Sequence, residues 1–219
     1  MKKDIPLYTI HIDEIENMIV DVVSIVEHPA IQRDFLAFSK STKHVNKYKF
    51  SDDEKMQLLG LALIPNEPIY RIDENGEEFY VMFTVEEIEK IVKVFMKNGL
   101  TRSMNIEHDP NKKADSFIFQ TFITDDKIKA PALLGEVPNG SWVIGVQVED
   151  IQLWNDIKAG KRNGFSVEGL FKLLETNKVI QEGDEKVEIN ITEIDEVITD
   201  EEIEKLYSQL ENYFKYLIK

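Results

Sequence analysis

The chain has 219 residues, 42% of them apolar and 31% charged, which suits one domain, or one domain with a tail, that buries roughly 70% of its unfolded surface without metals or disulfides. Its 41 acidic residues outnumber the 26 basic ones, and a formal charge of −15 argues against a general binder of nucleic acid or of anionic membranes. Cysteine is absent, which excludes disulfides, Cys-ligated zinc, iron–sulfur clusters and thiol nucleophiles.

The opening MKKDIPLYTIHIDEIE meets Asp4 and Pro6 before any long apolar run, so neither a signal peptide nor a membrane span is expected, and a soluble protein of the cell interior is. Residues 7–10 and the β-branched run 18–26 read as extended, the second closed by Pro29. Residues 39–55 are polar and read as a surface connection. A strand over 56–64 is expected to be interrupted at Gly60. Segments 69–72 and 78–83 flank Asn75-Gly76, a step that favours the left-handed turn of a hairpin.

The clearest element is a helix over 85–98. Thr84 and Glu87 stand at the capping-box spacing, Ile88, Ile91, Val92, Phe95 and Met96 share a face, and Gly99 ends the pattern. Residues 100–109 read as an extended stretch entering a loop, 117–123 and 141–148 as strands, and 135–140 as a turn region. A short helix over 151–159 is expected to bury Ile151, Trp154 and Ile157. Residues 165–171 are again extended. Thr199 and Glu202 cap a terminal helix whose stripe includes Ile203, Leu206, Leu210 and Phe214. Six to eight short strands with three helices make the fold class α+β.

Charge is concentrated over residues 175–202, where eleven acids face only Lys178 and Lys186, a net of −9. Such a block reads as a solvated segment. It divides the chain into a domain over 1–175, an acidic segment over 176–198 and an amphipathic helix over 199–219.

Among the four histidines, His44 and His11 read as surface and structural residues. His108 lies in Met104-Asn105-Ile106-Glu107-His108-Asp109-Pro110, where alternation puts it on the side of Met104 and Ile106, away from Asn105, Glu107 and Asp109. Adjacent Glu107, His108 and Asp109 therefore diverge, and no metal is expected. No Gly-rich phosphate loop or dinucleotide fingerprint occurs either, so no cofactor is expected. Ser166, flanked by Gly164 and Gly169, is a candidate nucleophile, although GFSVEG is not the G-x-S-x-G elbow.

Several stretches together resemble the prohead (head maturation) serine proteases of tailed phages, in the subgroup also found in defective prophages of Gram-positive bacteria. They are Val23-Ser24-Ile25-Val26-Glu27-His28-Pro29-Ala30, Gly60-Leu61-Ala62-Leu63-Ile64-Pro65, the 79–99 strand and helix, Asn105-Ile106-Glu107-His108-Asp109, the 140–160 strand and helix, and Arg162-Asn163-Gly164-Phe165-Ser166-Val167-Glu168-Gly169. They cover about residues 19–175.

The resemblance implies a distorted β-barrel with packed helices, similar to herpesvirus maturation proteases. It also implies an endopeptidase that cleaves scaffold and major capsid proteins inside the assembling prohead, in the host cytoplasm. It makes Ser166 the nucleophile and His108 the general base, with backbone near Gly164 and Gly169, helped by Arg162, at the oxyanion or substrate. For the third member, relatives carry an acid just before a Val-Ser-Leu/Ile-Val strand, but Val22 stands there. Asp21, His28 and Glu168 remain candidates, with Asp21 preferred.

Two other readings stand beside this one: an inactive head scaffold of the same fold, and an interaction module working through the acidic segment and terminal helix. That helix is expected to dock on its own domain or on a second copy in a dimer rather than to recruit a partner.

Overall fold

Thr84 Oγ1 accepts a hydrogen bond from the Glu87 N–H at 3.2 Å and so starts helix α1 (Val85–Lys97). Glu87 does not complete the reciprocal half of the capping box. Its carboxylate instead reaches the first strand, meeting His11 Nδ1 at 2.8 Å and accepting from the Ile12 N–H at 3.0 Å. The cap residue thus becomes the bolt that fastens the helix to the sheet. The buried face is Ile88, Ile91, Val92, Val94 and Phe95, each contributing about 1.5–3 kcal/mol if fully removed from water. Met96 is exposed, contrary to the expected stripe, and Val94 takes its share of the core. Asn98 caps the C-terminus and Gly99 follows at φ 68°, the left-handed exit anticipated from the sequence.

The computed structural model describes residues 4–13, 18–38, 55–73 and 75–181, all within a compact unit spanning Met1–Val187. The 39–54 part of the polar connection, nearly all of the acidic segment and the terminal helix lie outside these residues. Twelve strands occur among the described residues: β1 (Asp4–His11), β2 (Val20–Val26), β3 (Leu36–Phe38), β4 (Gln57–Leu63), β5 (Ile69–Ile72), β6 (Glu78–Met82), β7 (Met104–Ile106), β8 (Asp109–Lys113), β9 (Ser116–Ile123), β10 (Trp142–Val148), β11 (Gly164–Gly169) and β12 (Lys172–Gln181). A second helix, α2 (Ile151–Lys158), follows β10. Among the described residues no helix is long and apolar enough to cross a membrane.

The class is α+β, but the strands do not close into one barrel among the described residues. They form three four-stranded ladders, ordered β12-β1-β6-β5, β3-β4-β10-β9 and β11-β2-β7-β8. Two pairings are parallel, β1 with β6 and β2 with β7; the others are antiparallel. β12 takes its place by pairing along the whole of β1, from Asp4 opposite Gln181 to His11 opposite Lys172.

The core joins these layers. Phe95 meets Trp142 edge-on with ring centroids 5.4 Å apart, and Phe35 lies 5.0 Å from Phe165. Gly60 does not interrupt β4. A Cβ there would lie 2.7 Å from Phe35 Cβ, so glycine is what lets this strand pass close to its neighbour. In α2, Asp150 caps the helix by accepting from the Gln152 N–H at 2.6 Å. Leu153, Trp154 and Ile157 are buried, whereas Ile151 is 58% exposed, because the first helical residue sits over the cap rather than over the sheet.

Candidate active site

The site is built on the central strands of the ladder β11-β2-β7-β8. β2 is an apolar run that burial on both faces requires, with Ser24 as the one polar residue inside Val22-Val23-Ser24-Ile25-Val26. Its register puts Ser24 directly opposite Ser166 of β11 and beside Asn105 of β7. Ser166, Ser24 and Asn105 thus form a polar row across three strands, none more than 6% exposed. They are half of the six buried polar residues among those described, so the polar content of the core is gathered at one place.

His108 reaches this row from a turn. β7 and β8 are joined through Glu107 and His108 at φ 55° and 58°, with Ile106 opposite Asp109. Positive φ at both central residues is the signature of the tight hairpin turn whose twist matches the flanking strands. Glycine or asparagine usually occupies such positions, and a Glu-His pair there stores backbone strain of order 1–3 kcal/mol per residue. The expected alternation therefore ends at Ile106. The chain reverses, and His108 is carried to the side of Asn105 rather than away from it.

The turn is tied down by Glu107. Its Oε1 accepts from the Glu27 N–H at 2.6 Å and lies 3.4 Å from an Arg162 guanidinium nitrogen. Arg162 also donates to the Lys161 carbonyl.

His108 Nδ1 lies 3.2 Å from Glu168 Oε1 and 3.1 Å from Ser24 Oγ. Ser24 Oγ is 2.6 Å from Asn105 Oδ1 and also makes a short contact with Glu168 Oε1. Asn105 Nδ2 donates to the same Glu168 oxygen at 2.8 Å. Ser24 has a single O–H, so it donates to one of these acceptors at a time. A carboxylate oxygen beside Nδ1 holds the imidazole proton on that nitrogen, which leaves Nε2 as the basic one.

Burial would raise the Glu168 carboxyl. Hydrogen bonds from Ser24 and Asn105, together with the neighbouring His108, outweigh it and hold the group below the ordinary carboxylate range. Glu168 is accordingly an anion presented to an imidazole, and Nε2 of the half-exposed ring can take a proton from solvent or from a bound group.

The remaining candidates fall elsewhere. Asp21 is exposed and makes no hydrogen bond to His108; burial of its carboxyl raises its pKa and the charge of Glu168 adds to the effect. The His28 side chain is 90% exposed, with only Glu27 nearby at 3.9 Å. Ser166 Oγ makes no hydrogen bond to His108 among the described residues, although its Cβ and that of Ser24 stand about 5 Å apart by the ladder geometry.

Gly164 and Gly169 have packing reasons to be glycine. A Cβ at Gly164 would lie 2.5 Å from the Pro29 ring, and one at Gly169 would lie 2.1 Å from the Ile19 carbonyl. Sequence reasoning missed Ser24 and Asn105 as members of the site. The signal available was a lone serine within a run of valine and isoleucine.

Ser166 also borders a cavity of about 300 Å³. Apart from Ser166 and Arg71 its lining is apolar, and includes Ile10, Phe79, Phe83 and Phe171 with Phe165 and Val167, the chain neighbours of the serine.

A family model described as "Putative phage serine protease XkdF" matches residues 42–175, well over half of the chain. The match begins after β2, so it includes Asn105, His108, Ser166 and Glu168 but not Ser24. No curated protein and no solved structure matches. A buried serine, a histidine and a carboxylate gathered on one ladder agree with the chemistry that this description names, and the chain belongs to the XkdF family of phage serine proteases.

Proposed function

We propose that the chain is a serine endopeptidase of phage head maturation, with Ser166 as nucleophile, His108 as general base through Nε2, and Glu168 as the residue that orients the imidazole. The observation that carries this reading is the Glu168 oxygen 3.2 Å from His108 Nδ1. Serine is a poor nucleophile at neutral pH. A neutral imidazole oriented by a carboxylate takes its proton as Oγ attacks the scissile carbonyl carbon. The C–N bond then breaks, and the amine leaves with the proton from Nε2. Water attacks the resulting ester in the same way, and Ser166 regains its proton as the acid product departs.

Backbone N–H groups of β11 beside Ser166 meet the oxyanion. Arg162 acts on the histidine turn through Glu107, and Ser24 and Asn105 keep Glu168 ionised and in place. The absence of a Ser166–His108 hydrogen bond does not weigh against the pair, because such contacts tighten in the substrate complex. The substrates are scaffold and capsid-protein extensions cut inside the assembling prohead in the host cytoplasm.

A second reading makes Ser24 the nucleophile, on the strength of its 3.1 Å contact with His108. That contact is to Nδ1, the nitrogen the carboxylate already occupies, whereas Ser166 borders the cavity where a peptide can sit.

The test is co-expression with the neighbouring head proteins, as wild type, Ser166→Ala and Ser24→Ala, read by intact mass. Truncated products that vanish only with Ser166→Ala, or vanish there and merely diminish with Ser24→Ala, establish the first reading. Loss with Ser24→Ala and retention with Ser166→Ala establish the second. Identical full-length masses throughout, with normal shells, overturn both.

A further inference from the structure

The cavity beside Ser166 has one chemical peculiarity. The β5–β6 hairpin pairs Ile69 with Val81 and Arg71 with Phe79, so these four residues share a face, while Tyr70 and Ile72 point away and are exposed. That face forms one wall of the cavity. Arg71 is the single charged side chain lining it among the described residues, and the other lining residues apart from Ser166 are apolar.

The Arg71 guanidinium spends one donor on the Tyr70 carbonyl at 2.9 Å. Among the described residues no carboxylate pairs with it, in a chain where acids outnumber bases by 41 to 26. Arginine remains charged at any accessible pH and offers five donors in a planar fork that fits a carboxylate with two parallel hydrogen bonds. Arg71 is itself exposed, so the fork stands at the mouth of an apolar cavity, where a charge-assisted, two-pronged pair with a carboxylate discriminates by charge.

We propose that this cavity selects the substrate: it takes a large apolar side chain next to Ser166, and Arg71 binds the carboxylate side chain of an adjacent aspartate or glutamate in the same peptide. The proposal rests on the endopeptidase reading above and adds the substrate class to it. Peptides of the kind selected carry an aromatic or large aliphatic residue beside an acid. Peptides with lysine or arginine at that position are disfavoured, because two cations would then be brought together at the cavity mouth.

The test uses the full-length chain with Ser166→Ala, so that bound peptide is not turned over. Three fluorescent peptides are titrated, alike except for one residue beside a phenylalanine: glutamate, glutamine or lysine. All have amidated C-termini, so that a terminal carboxylate cannot substitute for the side chain. The glutamate peptide is expected to bind at least tenfold more tightly than the glutamine peptide and more tightly still than the lysine peptide. Adding Arg71→Gln should abolish the preference, and adding Arg71→Glu should reverse it toward lysine, with melting temperatures confirming that both variants fold.

Equal binding of the three peptides by the parent, no binding of any, or an unchanged preference in the Arg71 variants overturns the selection. If head proteins are nevertheless cut in a Ser166-dependent manner, the endopeptidase reading survives that result. Charge-selective binding without any Ser166-dependent cleavage overturns the endopeptidase reading, and with it the cavity as a substrate selector.

Discussion

Glu168 stands directly opposite Val22 across the β2–β11 ladder. Opposed residues of an antiparallel pair have Cβ atoms about 5 Å apart on one face, so a carboxylate on either strand arrives at nearly the same point. A carboxylate at position 22 would therefore reach the histidine that Glu168 meets at 3.2 Å.

Replacing Glu168 with glutamine should lower kcat by roughly 10³-fold with little change in KM, because the imidazole loses its oriented tautomer but the cavity is untouched. The exchange across the ladder makes a sharper test: Val22→Glu introduced into Glu168→Val should restore part of the lost rate. Steady-state kinetics on a cleaved head protein would measure both, and no recovery in the double variant would separate the ladder position from the function.

Glu168 also ties stability to acid. Its folded-state pKa lies below the ordinary value, so its stabilising contribution is complete above the unfolded value of about 4.3 and is lost as pH falls through the folded one. The melting temperature of wild type should therefore exceed that of Glu168→Gln near pH 6, and the gap should narrow toward pH 3. A gap that widens on acidification would contradict the sign.

Asp21 behaves in the opposite sense. Its pKa is raised by burial with help from Glu168, so the folded state penalises its charge at neutral pH. Asp21→Asn should melt slightly higher than wild type at pH 7, with the difference disappearing as acid protonates the carboxyl. It should also cleave at a near wild-type rate, whereas an orienting role would cost orders of magnitude.

Ser24→Ala removes a fully buried hydroxyl that links buried Asn105 with the partly exposed His108 and Glu168. Leaving those partners under-satisfied should cost about 1–3 kcal/mol, measurable by denaturant unfolding. Activity should fall but persist.

Gly169→Ala would drive a methyl into the Ile19 carbonyl, an immovable backbone atom. A loss of about 3 kcal/mol or more, or failure to fold, is the expected outcome. Gly76→Ala, where a Cβ meets nothing, should cost far less and only through its φ of 82°.

Helix α1 was legible because Thr84 and a regular stripe announce it locally, whereas His108 and Ser166 became candidates mainly through family resemblance. The partnership between Asn105 and His108 was not. Alternation assumes that a strand continues, and nothing in the composition of Glu107-His108 advertises a turn that usually demands glycine or asparagine. Ser24 was hidden for a different reason: a small hydroxyl in a valine-rich strand looks like an ordinary core residue, and only the register shows that it faces a second serine and an asparagine. Asp21, His28 and Glu168 could not be ranked from sequence either, since what sets Glu168 beside His108 is the pairing of strands far apart in the chain.

Ser24 and Glu168 are separated by 144 residues, and the ladder that joins them also needs β7 from the middle of the chain. Contacts of such separation form late, because the entropy of closing a long loop is lost before any contact compensates it. A nascent chain still emerging from the ribosome thus holds its histidine long before the carboxylate that orients it exists. Until residue 168 has left the ribosome, neither Ser166 nor Glu168 is available to the histidine, whatever the rest of the chain has already folded into.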